Sequence, residues 1–391
     1  MKHVTSFLLV ILGGLLAASP AAAQTTLRDA LGVLMTNQAV QTADFEKDRE
    51  AAEAASDTIA RALLVNLTSA PISTSSGGFV YRFRPELGTV ERASESFGTL
   101  FVERALTAGA GTFSFGAAAS TISYRRLNGF DLRDDSLVTV ANRFRDESAP
   151  FNTESLTLQL RASTITWFAN VGVTDRLDLG VAVPLARVNF EGRRLNVYRG
   201  SQLVQATATG SASGLADIAI RGKYAFASGP FGAVAAAGEV RLPTGDDQNL
   251  LGAGSFSWRA LLVASLERGP FSLHGNGGIA RGGVSDEALM SGAASVAVHP
   301  RLTVTAEISS RHVSELRDFV LSSAPHPTIR GVDTLRLLAG PTATTLVTAV
   351  TGMKWNLSDT LVLGGHLLWS IRDRGLTAPF APTVTFEYAF Q

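Results

Sequence analysis

The sequence predicts an all-β fold: a transmembrane antiparallel β-barrel of about fourteen strands with an N-terminal helical segment. Three observations predict it. Segment after segment alternates apolar with polar residues at a period of two, as strands do when side chains point to opposite faces. Connections alternate between tight turns and long loops, the arrangement of outer-membrane barrels. Charged residues make up only 17% of the chain, against roughly 25% in soluble domains.

Residues 1–23 read as a secretory signal peptide. Lys2 and His3 precede an apolar run over 4–18, and Ala21-Ala22-Ala23 supplies a small-residue cleavage site before Gln24. The run is short for a membrane span of about 20 residues. No later stretch is long and apolar enough for a spanning helix, so membrane insertion here requires strands.

Residues 24–77 differ in composition. The stretch 42–67 is rich in Ala, Glu, Asp and Arg, which include strong helix formers. Ile59, Leu63, Leu64 and Leu67 give it an apolar side. Ala70-Pro71 and the Ser/Thr/Gly run after it end the helix as a linker. Two placements suit this segment: a periplasmic helix packed on the barrel rim, or a plug inside the lumen.

The barrel is expected over 78–391. Candidate strands are 78–85, 97–108, 112–126, 155–173, 177–192, 214–227, 231–244, 255–267, 271–282, 288–299, 302–314, 344–357, 360–373 and 382–391. Turns near 174–176, 227–230, 267–270, 299–301 and 357–359 are tight; connections at 127–154, 193–213, 245–254 and 315–340 are long. The hairpin 214–254 sets the facing. Ile218, Ile220, Tyr224 and Phe226 share one side of its first arm; Asp217, Arg221 and Lys223 share the other. In the second arm Val234, Ala236, Val240 and Leu242 oppose Glu239 and Arg241. A Lys or Arg aimed at lipid near the midplane costs roughly 2–4 kcal/mol, so the charged sides face inward. Asp217 is expected opposite Arg241. In 177–190 the apolar positions slip from odd to even near Pro184, which predicts a bulge there. Val384, Phe386, Tyr388 and Phe390 alternate in a terminal strand that ends near an aromatic. That strand is where the barrel-assembly machinery is expected to engage.

The expected lumen-facing set for transport or bracing begins with Asp217, Arg221, Lys223, Glu239, Arg241 and Arg259. It continues with Glu267, Glu307, Arg311, Arg372 and Glu387. The signs are mixed, whereas a strongly selective ion pore carries a ring of one sign. A cross-strand salt-bridge lattice and a weakly selective polar wall both fit.

Two motifs carry a resemblance. GLADIAIRGKY at 214–224 and EVRLPTGDDQNLLGAG at 239–254, with flanks at 96–116 and 172–185, resemble the outer-membrane transporter family named for the meta-cleavage pathway of phenol degradation. That family is distantly like the long-chain fatty-acid and toluene transport barrels. The resemblance implies a barrel that passes small hydrophobic or aromatic compounds.

Lys+Arg and Asp+Glu are both 34, so no basic surplus points to nucleic acid. The chain has no cysteine, which excludes disulfides and thiolate metal sites. The histidines show no H-x-x-x-H or H-E-x-x-H spacing, and G-x-S-x-G, P-loop and dinucleotide fingerprints are absent. No catalytic, cofactor-binding or metal residues are expected. His274 and His366, with Ser272 and Ser370 near them in sequence, are the residues a barrel hydrolase would use. The expected function is passive transport of small solutes across an outer membrane, with membrane lipid as surroundings. A structural or adhesion barrel with a closed lumen is the alternative.

Overall fold

The computed structural model describes residues 26–35, 45–68, 78–84, 89–229, 231–326 and 328–390. The expected signal peptide and the linker at 70–77 lie outside the described residues. Among the described residues two helices come first, α1 (Leu27–Met35) and α2 (Phe45–Thr68), followed by a small antiparallel pair of β1 (Tyr81–Arg84) and β2 (Thr89–Arg92). The wall starts at β3 (Phe113–Tyr124). Short strands β4 (Arg126–Leu127) and β5 (Phe130–Asp131) precede β6 (Leu137–Phe144), β7 (Asn152–Thr174), β8 (Leu177–Tyr198) and β9 (Ser201–Leu215). Then come β10 (Ala219–Gly229), β11 (Gly232–Arg241), β12 (Ser257–Arg268), β13 (Phe271–Gly282) and β14 (Glu287–His299). The last are β15 (Leu302–Pro325), β16 (Val332–Ser358), β17 (Leu361–Ser370), β18 (Leu376–Thr377) and β19 (Ala381–Phe390).

Among the described residues one antiparallel sheet holds fourteen strands, and twelve of them close into a barrel. The ring runs β3, β7, β8, β10 to β17 and β19, with β19 returning to β3 through the pairs Thr383↔Ser120 to Phe390↔Phe113. β6 and β9 belong to the sheet but not to the ring. β9 pairs with the far half of β8, and β6 bridges β7 and β16.

Hydrophobic alternation explains the wall. On β7 the outward residues Ile165, Trp167, Val171 and Val173 are exposed, while Phe168 and Asn170 are buried. From Ile165 to Val173 is about 27 Å of strand at about 3.3–3.4 Å per residue. Tilted, that matches an apolar band about 25 Å tall. Similar exposed rows run along β10 (Ile220, Tyr224, Phe226), β12 (Trp258, Leu262, Leu266) and β16 (Met353, Trp355). A closed barrel girdled this way has the outer surface of a membrane-spanning barrel, its apolar band suited to lipid.

The expected slip at Pro184 has a different cause. β7 and β8 stay in register through Thr166↔Pro184, and even-numbered residues of β8 face inward on both sides of it. What changes is the medium. Below Pro184 the outward residues Leu179 and Val181 meet lipid. Above it Arg187, Glu191 and Arg193 are outward and exposed, while Val188 and Phe190 are buried inside. β7 inverts likewise, with Leu156, Leu158 and Leu160 turned inward. These inner apolar residues form one core with Leu27, Leu31 and Leu34 of α1 and Leu63 and Leu64 of α2. Pro184 marks where β8 exchanges β10 for β9 as neighbour, its carbonyl accepting from the N–H of Ala216.

Four expectations are corrected. Residues 78–85 and 97–108 are not wall strands. A wall strand keeps every second side chain in lipid, whereas 102–108 is buried throughout. Gly98, Gly109 and Gly111 bend that stretch with φ of 70°, 93° and 78°. The connections at 193–213 and 315–340 are largely strand, since β8, β9, β15 and β16 continue far past the lipid band. Asp217 does not oppose Arg241: the turn pairs Gly229 with Gly232, and this register, shifted by one residue between Ala225 and Ala227, gives Ala219↔Arg241 and Arg221↔Glu239.

Candidate functional site: a clamped lumen

The lumen is occupied by the chain itself. Residues 92–111 cross its tight-turn half, and α1 and α2 fill its long-loop half. Wall side chains hold the crossing segment mainly by its backbone. The Glu307 carboxylate accepts from the N–H groups of Leu100 (2.5 Å), Phe101 (3.0 Å) and Val102 (3.0 Å). Lys354 Nζ donates to the carbonyls of Phe97 (3.2 Å) and Thr99 (2.6 Å). Lys223 Nζ donates to those of Arg104 (3.1 Å) and Leu106 (2.8 Å). Asp178, 3.4 Å from Lys223, accepts from the Ala108 N–H at 3.0 Å. The Thr303 and Ser265 hydroxyls accept from the N–H groups of Phe97 and Ala105.

Main-chain bonding of this kind suits an irregular segment. Between 97 and 108 it has no helix or sheet partners among the described residues, so its buried N–H and C=O groups turn to side chains. Bonds to ionised groups are roughly twice as strong as neutral ones. The turn at Gly98 admits no larger residue comfortably: its φ is positive, and a Cβ would lie 3.1 Å from the Arg104 guanidinium carbon. Where the segment leaves the lumen, a Cβ on Gly172 would lie 1.9 Å from the Gly109 carbonyl oxygen.

The expected lumen residues divide by partner. Lys223 and Glu307 grip the crossing segment. Glu387 accepts from the Gly78 N–H at 2.7 Å, and Glu267 from the Ser94 and Ser272 hydroxyls. Glu239 sits between Arg241 (2.7 Å) and Arg259 (3.8 Å), and Arg221 donates to the Asn170 side-chain oxygen. Asp217 accepts from the N–H groups of Gly245 and Ala253, folding the β11–β12 loop over the rim. Arg311 binds Glu287 at 2.7 Å and donates to the Val65 carbonyl near the end of α2. Arg372 falls two residues past the end of β17 and is exposed, because the strand stops at Ser370 before its alternation reaches that position.

Sequence reasoning missed Asp178, Lys354 and Arg194. A usable signal existed for the first two. Lys354 lies between lipid-facing Met353 and Trp355, and Asp178 between Leu177 and exposed Leu179. A lone charge flanked by lipid-facing residues must point inward. Arg194 donates to the Met35 carbonyl, a cation at the C-terminus of α1, where the helix dipole favours one. At the other end of α1, Thr26 and Asp29 cap each other's N–H groups.

Between the two fillings lies a cavity of about 130 Å³. Phe101 and Val102 form its floor, Asn66 reaches it from α2, and Ile122, Leu368 and Leu376 give it apolar sides. The Tyr124 hydroxyl on its lining is buried with no hydrogen-bond partner among the described residues. His274 Nδ1 meets the Ser265 hydroxyl at 2.8 Å, and its Nε2 has no hydrogen-bond partner among the described residues.

No curated protein matches this chain. Among solved structures, the COG4313 outer membrane channel from Pseudomonas putida F1 is 12% identical, with 73% of this chain and 97% of that one covered and a TM-score of 0.45. The translocator domain of the autotransporter NalP from Neisseria meningitidis is 10% identical, covering 72% and 89% at a TM-score of 0.37. The CymD monoaromatic hydrocarbon channel is 10% identical, covering 72% and 89% at a TM-score of 0.28. Residues 141–312 match the family model described as "Putative MetA-pathway of phenol degradation". Both quoted motifs fall inside that stretch, and the chain's resemblance to this family holds over the wall from within β6 to within β15.

Proposed function

We propose that this chain is a passive outer-membrane channel for small solutes, closed at rest by residues 92–111. The clamp carries the reading. Lys223, Glu307 and Lys354 hold main-chain groups, and water can replace each of these contacts when the segment withdraws. A lumen closed for good could be filled with apolar side chains at less desolvation cost. The cavity above the segment is close in size to the roughly 150 Å³ cavity that takes benzene, though Glu307, Arg311 and Ser309 join Ile122, Leu368 and Leu376 in its lining. A ring-sized hydrophobic or aromatic solute therefore suits the route. This reading gives the barrel a transport role and no enzymatic one. It divides the chain into a leader at 1–23, a helical lumen segment within 24–77 and a barrel over 78–391. It also has the assembly machinery engage β19, whose Phe390 stacks on Phe113 at 5.0 Å across the closing seam.

Proteoliposome swelling tests it. Vesicles with the unaltered protein should swell slowly in a pentose. Vesicles with a Glu307→Gln/Lys354→Met variant should swell at least tenfold faster, with a trisaccharide still excluded. Absence of swelling in both, with folding verified, would favour the structural barrel.

A further inference from the structure

On the outside of the barrel, just above the lipid band, lies a concave patch of about 910 Å³. It spans β3, β7, β8 and β9, and its lining includes Arg133, Arg161, Arg187, Ser163 and Asn189 together with one carboxylate, Glu191. Its height is fixed by register. Ile165 pairs with Leu185, and Leu185 with Leu215; above them the next outward residues, Ser163, Arg187 and Ser213, are polar. Arg187 is the next outward residue after Leu185, and Arg161 is two outward steps above Ile165. The patch lies on the long-loop side, which is extracellular in such barrels.

The three arginines are exposed, and none has a carboxylate partner among the described residues. Rim arginines elsewhere do: Arg125, Arg126, Arg145, Arg281 and Arg374 each meet an Asp oxygen within 2.5–2.9 Å. Arg161 opposes Asn189, two residues from Arg187, so the two cations are diagonal cross-strand neighbours. Glu191, on the same face of β8 and opposite Gln159, forms no ion pair with either arginine among the described residues, so the patch keeps a surplus of positive charge that a bound anion would offset. Hydrogen bonds orient the two arginines: Arg161 Nε donates to the Ser123 hydroxyl (3.2 Å) and Arg187 Nε to the Asn189 oxygen (3.3 Å). Neither bond uses the outer guanidinium nitrogens, which present the fork that matches a phosphate.

We propose that this patch binds the phosphorylated headgroup of an outer-leaflet glycolipid, with Arg161 and Arg187 on a phosphate and Arg133 beside them. The position selects the ligand. A phosphate at the head of a lipid whose chains lie along Ile165, Leu185 and Leu215 reaches the arginines at headgroup depth. Free phosphate would gain nothing from the apolar row beneath.

The test is a titration of refolded full-length protein in zwitterionic detergent micelles with bisphosphorylated lipid A. Phosphatidylethanolamine and inorganic phosphate serve as the other probes. Saturable binding of lipid A is expected, at least tenfold tighter than of phosphatidylethanolamine. The double variant Arg161→Ala/Arg187→Ala should weaken it about tenfold or more, and Arg281→Ala, at a paired rim arginine, should not. Because all three positions are exposed on the outer surface, folding is checked by the unchanged heat-dependent gel mobility of the barrel. Arg161→Lys/Arg187→Lys, which keeps charge and loses the fork, should fall between. Equal binding by the double alanine variant, or equal affinity for inorganic phosphate and lipid A, would overturn the assignment.

Discussion

Replacing Glu307 by Gln should turn a nearly silent barrel into one that conducts. The carboxylate accepts three backbone N–H bonds at once, from Leu100, Phe101 and Val102. Bonds to charged acceptors contribute roughly 1.5–3 kcal/mol each, and a buried donor left without a partner costs about 1–3 kcal/mol. A glutamine keeps one accepting oxygen and turns an NH2 group toward the remaining N–H. Part of the loss is offset because the carboxylate no longer has to be desolvated. A net change of about 3 kcal/mol is expected, which lowers the closed-to-open ratio by roughly a hundredfold. Lys354→Met removes the donor to Phe97 and Thr99 and should act in the same direction. Planar-bilayer recordings of each variant beside the unaltered protein read this out as frequency of opening. The double variant is expected to depart from additivity, since both residues hold one short segment.

Detaching the helices should have a large effect of a different kind. Leu34 on α1 and Leu63 on α2 are 0% and 1% exposed, within the apolar core that also holds Leu158, Leu160 and Phe190 of the wall. Leu→Ala at such sites costs about 2–5 kcal/mol each, and an aspartate adds the cost of a buried charge. Leu34→Asp/Leu63→Asp is therefore expected to release both helices and expose the apolar inner face of β7 and β8 to water. The lipid-embedded half has its own ladder of hydrogen bonds and should persist. Limited proteolysis should then cut within 185–215, with the heat-dependent mobility shift of the barrel retained. Loss of the barrel itself would show that the helices are needed for the wall to form.

The fold was legible where one face of a strand meets lipid. Ile220 against Arg221, and Leu262 and Leu266 against Ser265 and Glu267, alternate strongly because two media of opposite polarity flank the wall. Legibility failed where the media changed. On β8 above Pro184 the inside becomes apolar helix and the outside water, so an unbroken strand reads as a slipped one. It failed again at 97–108, whose apolar residues pack inside the lumen. Composition alone cannot separate a segment buried in lipid from one buried in protein. The absence of alternation there, beside Gly98, Gly109 and Gly111, was the available signal. For the candidate site the inward charges were readable one residue at a time. Their partners were not: the groups Glu307 and Lys354 hold are main-chain atoms some two hundred residues away, which no side-chain pattern encodes.

The position of that segment is the central claim, and one measurement tests it most directly. The chain has no cysteine, so a single introduced thiol reports alone. Cysteines placed one at a time at Val102, Glu103, Arg104, Ala105 and Leu106, each carrying a small fluorophore, can be exposed in turn to a lipid-borne and a water-borne quencher. A segment folded into the lumen predicts that none of the five is quenched from lipid, with Ile220→Cys strongly quenched as the reference. Lipid quenching at every second position of 102–106 would make this stretch a strand of the wall and contradict the clamp.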